Sequence, residues 1–389
     1  MSLDPKSLKD ATTLTHVGAS DQPLRTRAVA PALQRGSTVL MPDAASLYAS
    51  DTPTYGMNSH TIHAALVDGL KALEHAAHVE LYTSGLAAVT GAIAAVVKAG
   101  DGVLAVDSLY GPTRRFCDSY LARMGVATRY FPPTASAEEI LALAGPATRL
   151  IFLESPGSLT FEMQDVPAIA AAARARGLLT AVDNTWASGL LFRPVEHGVD
   201  LSIQALTKYV CGHSDTFLGS VATNDPEVAA ALTGYVRDTG ASVSPDDAFQ
   251  GLRGLRTLEV RLKRHGESGL AVAEWFAAQP EVLRVLHPAL PGDPGHAIWR
   301  RDFTGAAGLF GAVLKPVARA KVEAFLNRLE LFGLGFSWGG YESLAIHCDP
   351  QMKRNCGLVS DGQLVRLNIG LEDPTDLIAD LRQGLDALA

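Results

Sequence analysis

Short apolar runs alternate with longer amphipathic stretches along the chain from about residue 61 onward. Seven of these runs have the length and composition of buried strands. They are 79–83, 102–107, 126–131, 149–154, 178–183, 199–204 and 216–223. Alanine-rich segments with helical periodicity, such as 86–98 and 165–176, lie between most of them. This alternation predicts an α/β protein with a mostly parallel, seven-stranded sheet that helices cover on both faces.

The two ends of the chain follow different patterns. Residues 1–60 have no sustained periodicity and contain scattered Pro, Gly and Ser, as in an arm that lies on another surface. After a helical stretch from about 224 to 280, a smaller α+β unit is predicted. It has strands at 308–314 and 364–370 and helices at 318–330 and 373–388. A chain of 389 residues is too long for one core, so we expect an arm at 1–60, a larger domain at 61–250 and a smaller one at 251–389.

Composition and charge argue against several kinds of partner. The net charge is −8, and the basic cluster at 253–264 has the pattern of a helix face, so we expect no nucleic acid. The longest apolar stretches are shorter than the roughly 20 residues that span a bilayer, so we expect no membrane contact. The four cysteines form no CxxC pair, and the first ten residues lack the apolar segment of a signal peptide. We therefore expect a cytoplasmic protein without a metal site.

Polar residues follow several predicted strands at the point where each strand ends. Ser84-Gly85-Leu86, Tyr110, Asp183 and Lys208 all occupy such positions. Taken singly, each has an ordinary explanation: a helix cap, packing in a turn, a turn carboxylate, or a lysine that extends its amine to the surface. In a parallel sheet, however, the carboxyl ends of the strands form one edge where ligands bind.

One ligand accounts for all four positions: pyridoxal 5′-phosphate (PLP). Its aldehyde requires a lysine, here Lys208, for a covalent imine, and its phosphate is suited to a helix N-terminus such as the one at Gly85. Its protonated ring nitrogen requires a carboxylate, which Asp183 supplies. The ring of Tyr110 can stack on the ring of the cofactor. Burial beside a cationic ring would lower the pKa of the Lys208 amine, which makes the lysine usable as a base.

Six segments together resemble one family of enzymes. They are AVDNTWASG, SIQALTKYVCGHSD, GLRGLRTLEVRL, RDFTGAAGLF, FSWGGYES and LVRLNIGLED. They are similar to the cysteine/methionine-metabolism family of PLP-dependent enzymes, whose fold is the aspartate-aminotransferase-like fold type I. The resemblance extends from the Tyr55-Gly56 motif of the arm to the last helix.

The resemblance implies a role for residues on both sides of the cofactor. Lys208 matches the Schiff-base lysine and proton shuttle, Asp183 the partner of the ring nitrogen, and Tyr110 the stacked ring. Gly85 and Leu86 match backbone donors to the phosphate, and Thr207 a hydroxyl donor to it.

On the substrate side, Arg366 matches the arginine that binds the α-carboxylate, since a guanidinium meets a carboxylate with two hydrogen bonds. Ser337 and Trp338 match residues that line this end of the pocket. Phe336 and Tyr341 lie beside them in the sequence, so we expect three aromatic side chains at the substrate end.

Two positions depart from the family pattern. Met57 stands where the arm usually has an arginine that reaches the cofactor phosphate of a neighbouring subunit, and Ala205 stands where serine is common. Tyr55 is retained, which implies an active site shared between subunits, with Tyr55 binding cofactor and taking part in catalysis. The resemblance therefore implies a homodimer at least, and a tetramer as in most of the family.

The activity that the resemblance implies is β-elimination from a small-molecule amino-acid thioether. L-Cystathionine would give homocysteine, pyruvate and ammonia, a step of methionine biosynthesis, and other cysteine S-conjugates would also react. The alternatives within the family are γ-lyase, γ-synthase and sulfhydrylase activities. Outside it they are a non-catalytic α/β binding protein and a dinucleotide-binding oxidoreductase, although Ser84-Gly85-Leu86-Ala87-Ala88 is not the G-x-G-x-x-G that the latter needs.

Overall fold

Two β-sheets, each backed by helices, organise the computed structural model, which describes residues 8–17, 29–49, 53–57, 60–356 and 361–388. The first sheet has seven strands in the order β1-β7-β6-β5-β4-β2-β3. Strand β7 runs antiparallel to β1 and β6, and the other neighbours are parallel. The prediction of a mostly parallel seven-stranded sheet is therefore confirmed.

The seven strands of this sheet match the predicted runs, with differences of one to three residues at their ends. They are β1 His78–Tyr82, β2 Gly102–Val106, β3 Ala127–Phe131, β4 Thr148–Glu154, β5 Leu179–Asp183, β6 Leu201–Gln204 and β7 Gly219–Thr223. Most of their residues are buried, since helices cover both faces.

Twelve α-helices lie within the described ranges. They are α1 Asp10–His16, α2 Thr61–Glu74, α3 Gly85–Val96, α4 Gly111–Arg115, α5 Ala137–Ala142, α6 Val166–Arg174, α7 Pro226–Thr239, α8 Pro245–Leu255, α9 Leu258–Ala277, α10 His296–Asp302, α11 Arg319–Arg328 and α12 Pro374–Leu385. A π-helical turn, Phe116–Leu121, follows α4 directly. None of the helices in these ranges combines the length and apolar character needed to cross a membrane.

A five-stranded sheet forms the C-terminal part, in the order β10-β11-β12-β9-β8. Its strands are β8 Val282–Leu286, β9 Leu309–Leu314, β10 Gly333–Leu334, β11 Leu344–His347 and β12 Gln363–Asn368. The apolar pattern predicts only β9 and β12. In β8 an arginine interrupts the apolar run and two of the five residues are exposed, and β10 is only two residues long, too short for a pattern.

Helix α9 contributes to the hydrophobic cores of both sheets. Leu258 and Leu262 at its start pack into the core of the first sheet, while Val272 and Phe276 near its end pack into that of the second. A single long helix thus joins the two parts of the molecule.

Part of the predicted arm is helical and packs on its own chain. Leu14 of α1 is buried in the core of the first sheet, and Asp10 forms an ion pair of 2.6 Å with Arg193. The absence of periodicity in residues 1–60 gives no indication of this short helix. Residues 1–7, 18–28, 50–52 and 58–59 of the predicted arm lie outside the described residues.

Candidate active site

A cavity of about 350 Å³ lies at the carboxyl edge of the first sheet. The ends of β4 and β5 and the segment after β6 form its floor, and the N-terminus of α3 and the chain around 336–338 form its walls. Nine of the ten residues predicted for the site line it or contact its lysine. They are Gly85, Leu86, Tyr110, Asp183, Thr207, Lys208, Trp338 and Arg366, together with Ser337, which contacts Lys208 directly.

Lys208 projects its amine between the two sheets. Its Nζ donates a hydrogen bond of 2.9 Å to Oγ of Ser337 and lies 5.3 Å from the centre of the Trp338 ring. Burial, together with the positive charge of Arg366, lowers the pKa of the amine to about 8. A substantial fraction of the amine is therefore uncharged near neutral pH, as a nucleophile or base requires.

Asp183 and Glu154 end two adjacent parallel strands as register partners. Oδ1 of Asp183 accepts hydrogen bonds from the backbone N–H of Thr185 at 3.1 Å and from its hydroxyl at 2.5 Å, whereas Oδ2 receives none from the described residues. Burial raises the pKa of both carboxyls, and the negative charge of Asp183 raises that of Glu154 further, to well above its ordinary value. A carboxyl at this edge can therefore share a proton with the basic ring nitrogen of a bound ligand.

The first turn of α3 offers backbone donors to the cavity. Ser84 caps this helix and bonds the N–H groups of Ala87 and Ala88, while those of Gly85 and Leu86 have no acceptor within the helix. A Cβ on Gly85 would lie 2.2 Å from Cβ of Ala205, so only glycine allows the helix to approach this closely. The exposed N–H groups and the helix dipole suit a phosphate.

Thr207 and Tyr110 complete the cofactor side of the cavity. The Thr207 hydroxyl donates to the carbonyl of Leu218 at 3.2 Å and accepts from the N–H of Leu218 at 2.9 Å. The backbone N–H of Tyr110 donates to Glu154 at 2.7 Å, which fixes the start of α4 at the edge of the sheet. Burial and the negative charge of Asp183 raise the pKa of the Tyr110 phenol, so that it stays protonated.

Arg366 on β12 brings a buried cation to the opposite wall. Its Nη2 donates to the carbonyl oxygens of Phe336 at 2.6 Å and Ser337 at 3.2 Å, and its other nitrogens have no acceptor among the described residues. Gly339, with φ of +79°, lets the loop approach Lys208 closely, because a Cβ there would lie 3.2 Å from Cα of Lys208. The loop thus holds Ser337 and Trp338 against the lysine.

Two expectations are not met within the single chain. Tyr55 is 49% exposed, pairs with Thr38 in an isolated bridge and does not line the cavity. Tyr341 is exposed outside the cavity, so Phe336 and Trp338 are the aromatic residues from this loop that line it.

Several lining residues were not predicted, and Glu154 and Phe217 are two of them. Glu154 ends a strand as Asp183 does, so its position at the end of 149–154 was a usable signal. Phe217, which is 73% exposed, also lines the cavity. It lies at the start of the predicted strand 216–223, whereas β7 begins at Gly219, so the apolar pattern gave no indication that this side chain lines a cavity.

These features fit PLP. Lys208 is placed for the aldehyde, Oδ2 of Asp183 is available to a protonated ring nitrogen, and the N–H groups at the start of α3 are available to the phosphate. Among the described residues no cluster of His, Cys, Asp or Glu could hold a metal ion. Fold and site define the class of PLP-dependent enzymes.

The comparison with known proteins identifies the family. Residues 11–386 match the family model of the Cys/Met metabolism PLP-dependent enzymes, and the chain belongs to this family. Cystathionine beta-lyase of Bordetella avium is 44% identical, with 86% of this chain and 84% of the relative covered. Cystathionine beta-lyase MetC of Escherichia coli is 43% identical, with 85% of each chain covered.

A solved structure extends the likeness to three dimensions. The crystal structure of metB from Corynebacterium glutamicum covers 100% of both chains with a TM-score of 0.93 and 29% identity. The fold is therefore that of the fold type I PLP-dependent enzymes, as the sequence resemblance implies, and the protein is a PLP-dependent enzyme of cysteine and methionine metabolism.

Proposed function

We propose that the protein is a carbon–sulfur lyase that cleaves L-cystathionine by β-elimination to homocysteine, pyruvate and ammonia. The observation that carries the proposal is the position of the Lys208 amine, which is bonded to Ser337 and lies over the Trp338 ring across from Arg366. The names of the Bordetella and Escherichia relatives support the same activity. The reaction would serve methionine biosynthesis.

Arg366 binds the α-carboxylate of the substrate. Its Nη2 is held by two backbone carbonyls, which leaves Nη1 and Nε for a two-point contact. Because burial in this wall disfavours an unpaired charge, a substrate carboxylate is a strongly preferred partner. This contact fixes which face of the substrate turns toward Lys208.

Lys208 removes the proton from Cα of the bound amino acid. PLP, held by Lys208, Asp183 and the start of α3, would supply the electron-withdrawing group that makes the Cα proton acidic. The Lys208 amine, with its pKa lowered to about 8, can accept the proton. The phenol of Tyr110 keeps its proton because its pKa is raised by burial and by Asp183, so it can protonate the departing sulfur.

The surroundings of Lys208 favour cleavage on the β side. A γ-elimination requires a second deprotonation at Cβ and a base that moves between positions, whereas β-elimination requires only the Cα proton. Ser337, Trp338 and Phe336 restrict the space around the amine and the thioether. A γ-lyase, γ-synthase or sulfhydrylase would need more freedom here.

Identification of the products from L-cystathionine tests the proposal. Pyruvate with homocysteine supports it, and 2-oxobutyrate with cysteine would refute it. A coupled assay with lactate dehydrogenase, followed by mass spectrometry of the thiol, distinguishes the two pairs in one incubation.

The arm is proposed to complete the site of a neighbouring subunit, in a homodimer or tetramer. Tyr55, half-exposed and away from the cavity of its own chain, supports this arrangement. Hybrid oligomers of Lys208→Ala and Tyr55→Ala chains should recover activity, because one of their two shared sites is then intact. Hybrids as inactive as the parent variants would contradict a shared site.

The domain boundaries and the cellular compartment are proposed from the sequence. We propose an arm at 1–60, a PLP-binding domain at 61–250 and a C-terminal domain at 251–389, and limited proteolysis should cut within the arm before it cuts near residue 250, which lies in α8. All four cysteines carry free thiols, which supports a reducing, cytoplasmic environment.

A further inference from the structure

A second cavity, of about 500 Å³, adjoins the Lys208 cavity. The two share five lining residues, namely Tyr110, Ser158, Leu159, Phe336 and Arg366. Helix α4, the following π-helical turn and the segment 351–354 form the remaining walls. We call this space the distal cavity, since it lies beyond Arg366 and Tyr110 as seen from Lys208.

Positive charge dominates the distal cavity. Five cationic side chains line it, and Asp118 is the one carboxylate among its described lining residues. The Asp118 carboxylate already accepts the hydroxyl of Tyr130 at 2.6 Å. A ligand with a cationic end therefore finds one carboxylate and five cations in the described walls.

Part of this positive charge is uncompensated. Arg114 is paired with the buried Asp107 at 2.5 Å. Arg366 also lines the Lys208 cavity, where we propose that it binds the α-carboxylate of the substrate. Arg115 and Lys353, in contrast, are exposed and have no acidic partner among the described residues. The Nε of Arg354 is buried and also lacks a partner there.

The wall that carries Lys353 is held firmly against the first sheet. Arg354 donates to the carbonyl of Asp107 and to the hydroxyl of Thr160. The carboxylate of Asp107 accepts the backbone N–H groups of Asn355 at 2.8 Å and Cys356 at 2.7 Å. These bonds fix the segment beside the first sheet, where Lys353 lines the same cavity as Arg115.

We propose that the distal cavity binds a carboxylate at the far end of the sulfur substituent, with Arg115 and Lys353 as the specificity-determining residues. This deepens the proposed β-elimination and rests on it. The preferred substrates are then cysteine S-conjugates with an anionic S-substituent. L-Cystathionine meets this requirement through its distal carboxylate, and its distal ammonium is dispensable.

Three matched S-conjugates test the charge requirement. S-(2-carboxyethyl)-L-cysteine carries the carboxylate, S-(2-carbamoylethyl)-L-cysteine is its neutral isostere, and S-(2-aminoethyl)-L-cysteine carries a cation. Two exposed cations acting on one carboxylate should favour the first over the second by about three- to twentyfold in kcat/KM, mostly through KM. The cationic conjugate should be the poorest of the three.

Equilibrium competition supplies a readout that does not depend on turnover of the tested ligand. L-2-Aminopimelate and L-lysine are the uncleavable carbon analogues of the first and third conjugates. We expect the aminopimelate to inhibit cystathionine cleavage at lower concentration than lysine does. Equal inhibition by the two, or stronger inhibition by lysine, would overturn the proposal.

Charge-neutral variants locate the effect. Arg115→Gln and Lys353→Gln should each raise KM for the carboxyethyl conjugate about two- to fivefold and leave the carbamoyl conjugate unchanged. Arg149→Gln, an exposed arginine at the opposite end of β4, serves as the control. Variants that change all three conjugates equally would refute the assignment.

Pyruvate formation from L-cystathionine separates the two levels of the account. If cystathionine yields pyruvate while the three conjugates react with equal kcat/KM, the distal-cavity proposal fails and the β-lyase proposal stands. If cystathionine yields no pyruvate, the β-lyase proposal fails. Tighter binding of aminopimelate than of lysine, measured by titration of the visible absorbance of the holoenzyme, would then still support an anion-binding distal cavity.

Discussion

The Nζ of Lys208 donates a hydrogen bond of 2.9 Å to Oγ of Ser337, and this bond joins the end of the first sheet to a loop of the second. The amine thus contacts a neutral hydroxyl, while Arg366 and burial lower its pKa and Asp183 raises it. Together these effects let the Lys208 amine lose its proton at a lower pH than an ordinary lysine does.

The first prediction concerns the rate at which the apoenzyme captures PLP. Imine formation requires the neutral amine, so the rate should rise with pH and level off above about 8, whereas an ordinary lysine continues to gain neutral amine up to 10.5. Stopped-flow absorbance in the visible measures this profile. A rate that still climbs steeply beyond pH 10 would contradict the lowered pKa.

The second prediction concerns Asp183, the carboxylate that we propose pairs with the ring nitrogen of PLP. Asp183→Asn should retain cofactor but lose activity by about 100-fold or more, because an amide cannot keep the ring nitrogen protonated. Glu154→Gln is the matched control, since it alters the register partner on the adjacent strand and keeps an acceptor for the Tyr110 N–H. It should lose much less activity. A larger loss in Glu154→Gln would mean that the two roles are exchanged.

The third prediction concerns the arm position at which the family usually has an arginine. Met57 is 45% exposed, and its uncharged thioether cannot neutralise a phosphate. Because a hydrogen bond to a charged group contributes about 1.5–3 kcal/mol, Met57→Arg should tighten PLP binding about ten- to a hundredfold.

Loss of cofactor during dialysis measures this effect. Met57→Leu, an uncharged change of similar size, controls for packing and should behave like the original chain. Equal cofactor loss from the Arg and Leu variants would show that the arm does not reach a phosphate.

The fourth prediction concerns Glu74, which is buried at the end of α2. It accepts hydrogen bonds from Ser202 at 3.0 Å and from Gln204, but burial raises its pKa from 4.5 to about 7. Between pH 4.5 and about 7, Glu74 is ionised in the unfolded chain but still protonated in the folded one. The free energy of unfolding therefore falls as the pH rises through this range, and it stays lower above pH 7.

Glu74→Gln should remove this cost, since the amide oxygen can accept from Gln204 and the amide nitrogen can donate to the Ser202 hydroxyl, with no charge buried. We expect the variant to melt several degrees above the original protein at about pH 8 and to differ little at about pH 5. Calorimetry at both values tests this. A variant that is less stable at the higher pH would show that the carboxylate is stabilised by Arg193 more than it is penalised by burial.

The sequence predicted one wall of the site better than the other. Asp183 and Lys208 follow buried strands of the first sheet, so the apolar pattern alone brings them to one edge. Arg366, Ser337 and Trp338 come from the second sheet, and their approach to Lys208 depends on the close packing of Gly339, which no local pattern encodes. The family resemblance was needed to find them.

The distal cavity shows the same limit more clearly. Arg115 and Lys353 are separated by more than two hundred residues, and each resembles an ordinary surface cation in its own segment. They line the same cavity because Asp107, at the end of β2, anchors the segment after Lys353. Long-range anchoring of this kind has no signature in periodicity or composition.

The central claim is that Lys208 carries the cofactor in this cavity, and borohydride trapping tests it most directly. Reduction of the yellow holoenzyme, followed by digestion and mass spectrometry, should place one phosphopyridoxyl group on the peptide that contains Lys208. Lys208→Ala should keep its fold by circular dichroism and acquire no such label. A label on another lysine, or full visible absorbance and activity in Lys208→Ala, would contradict the account.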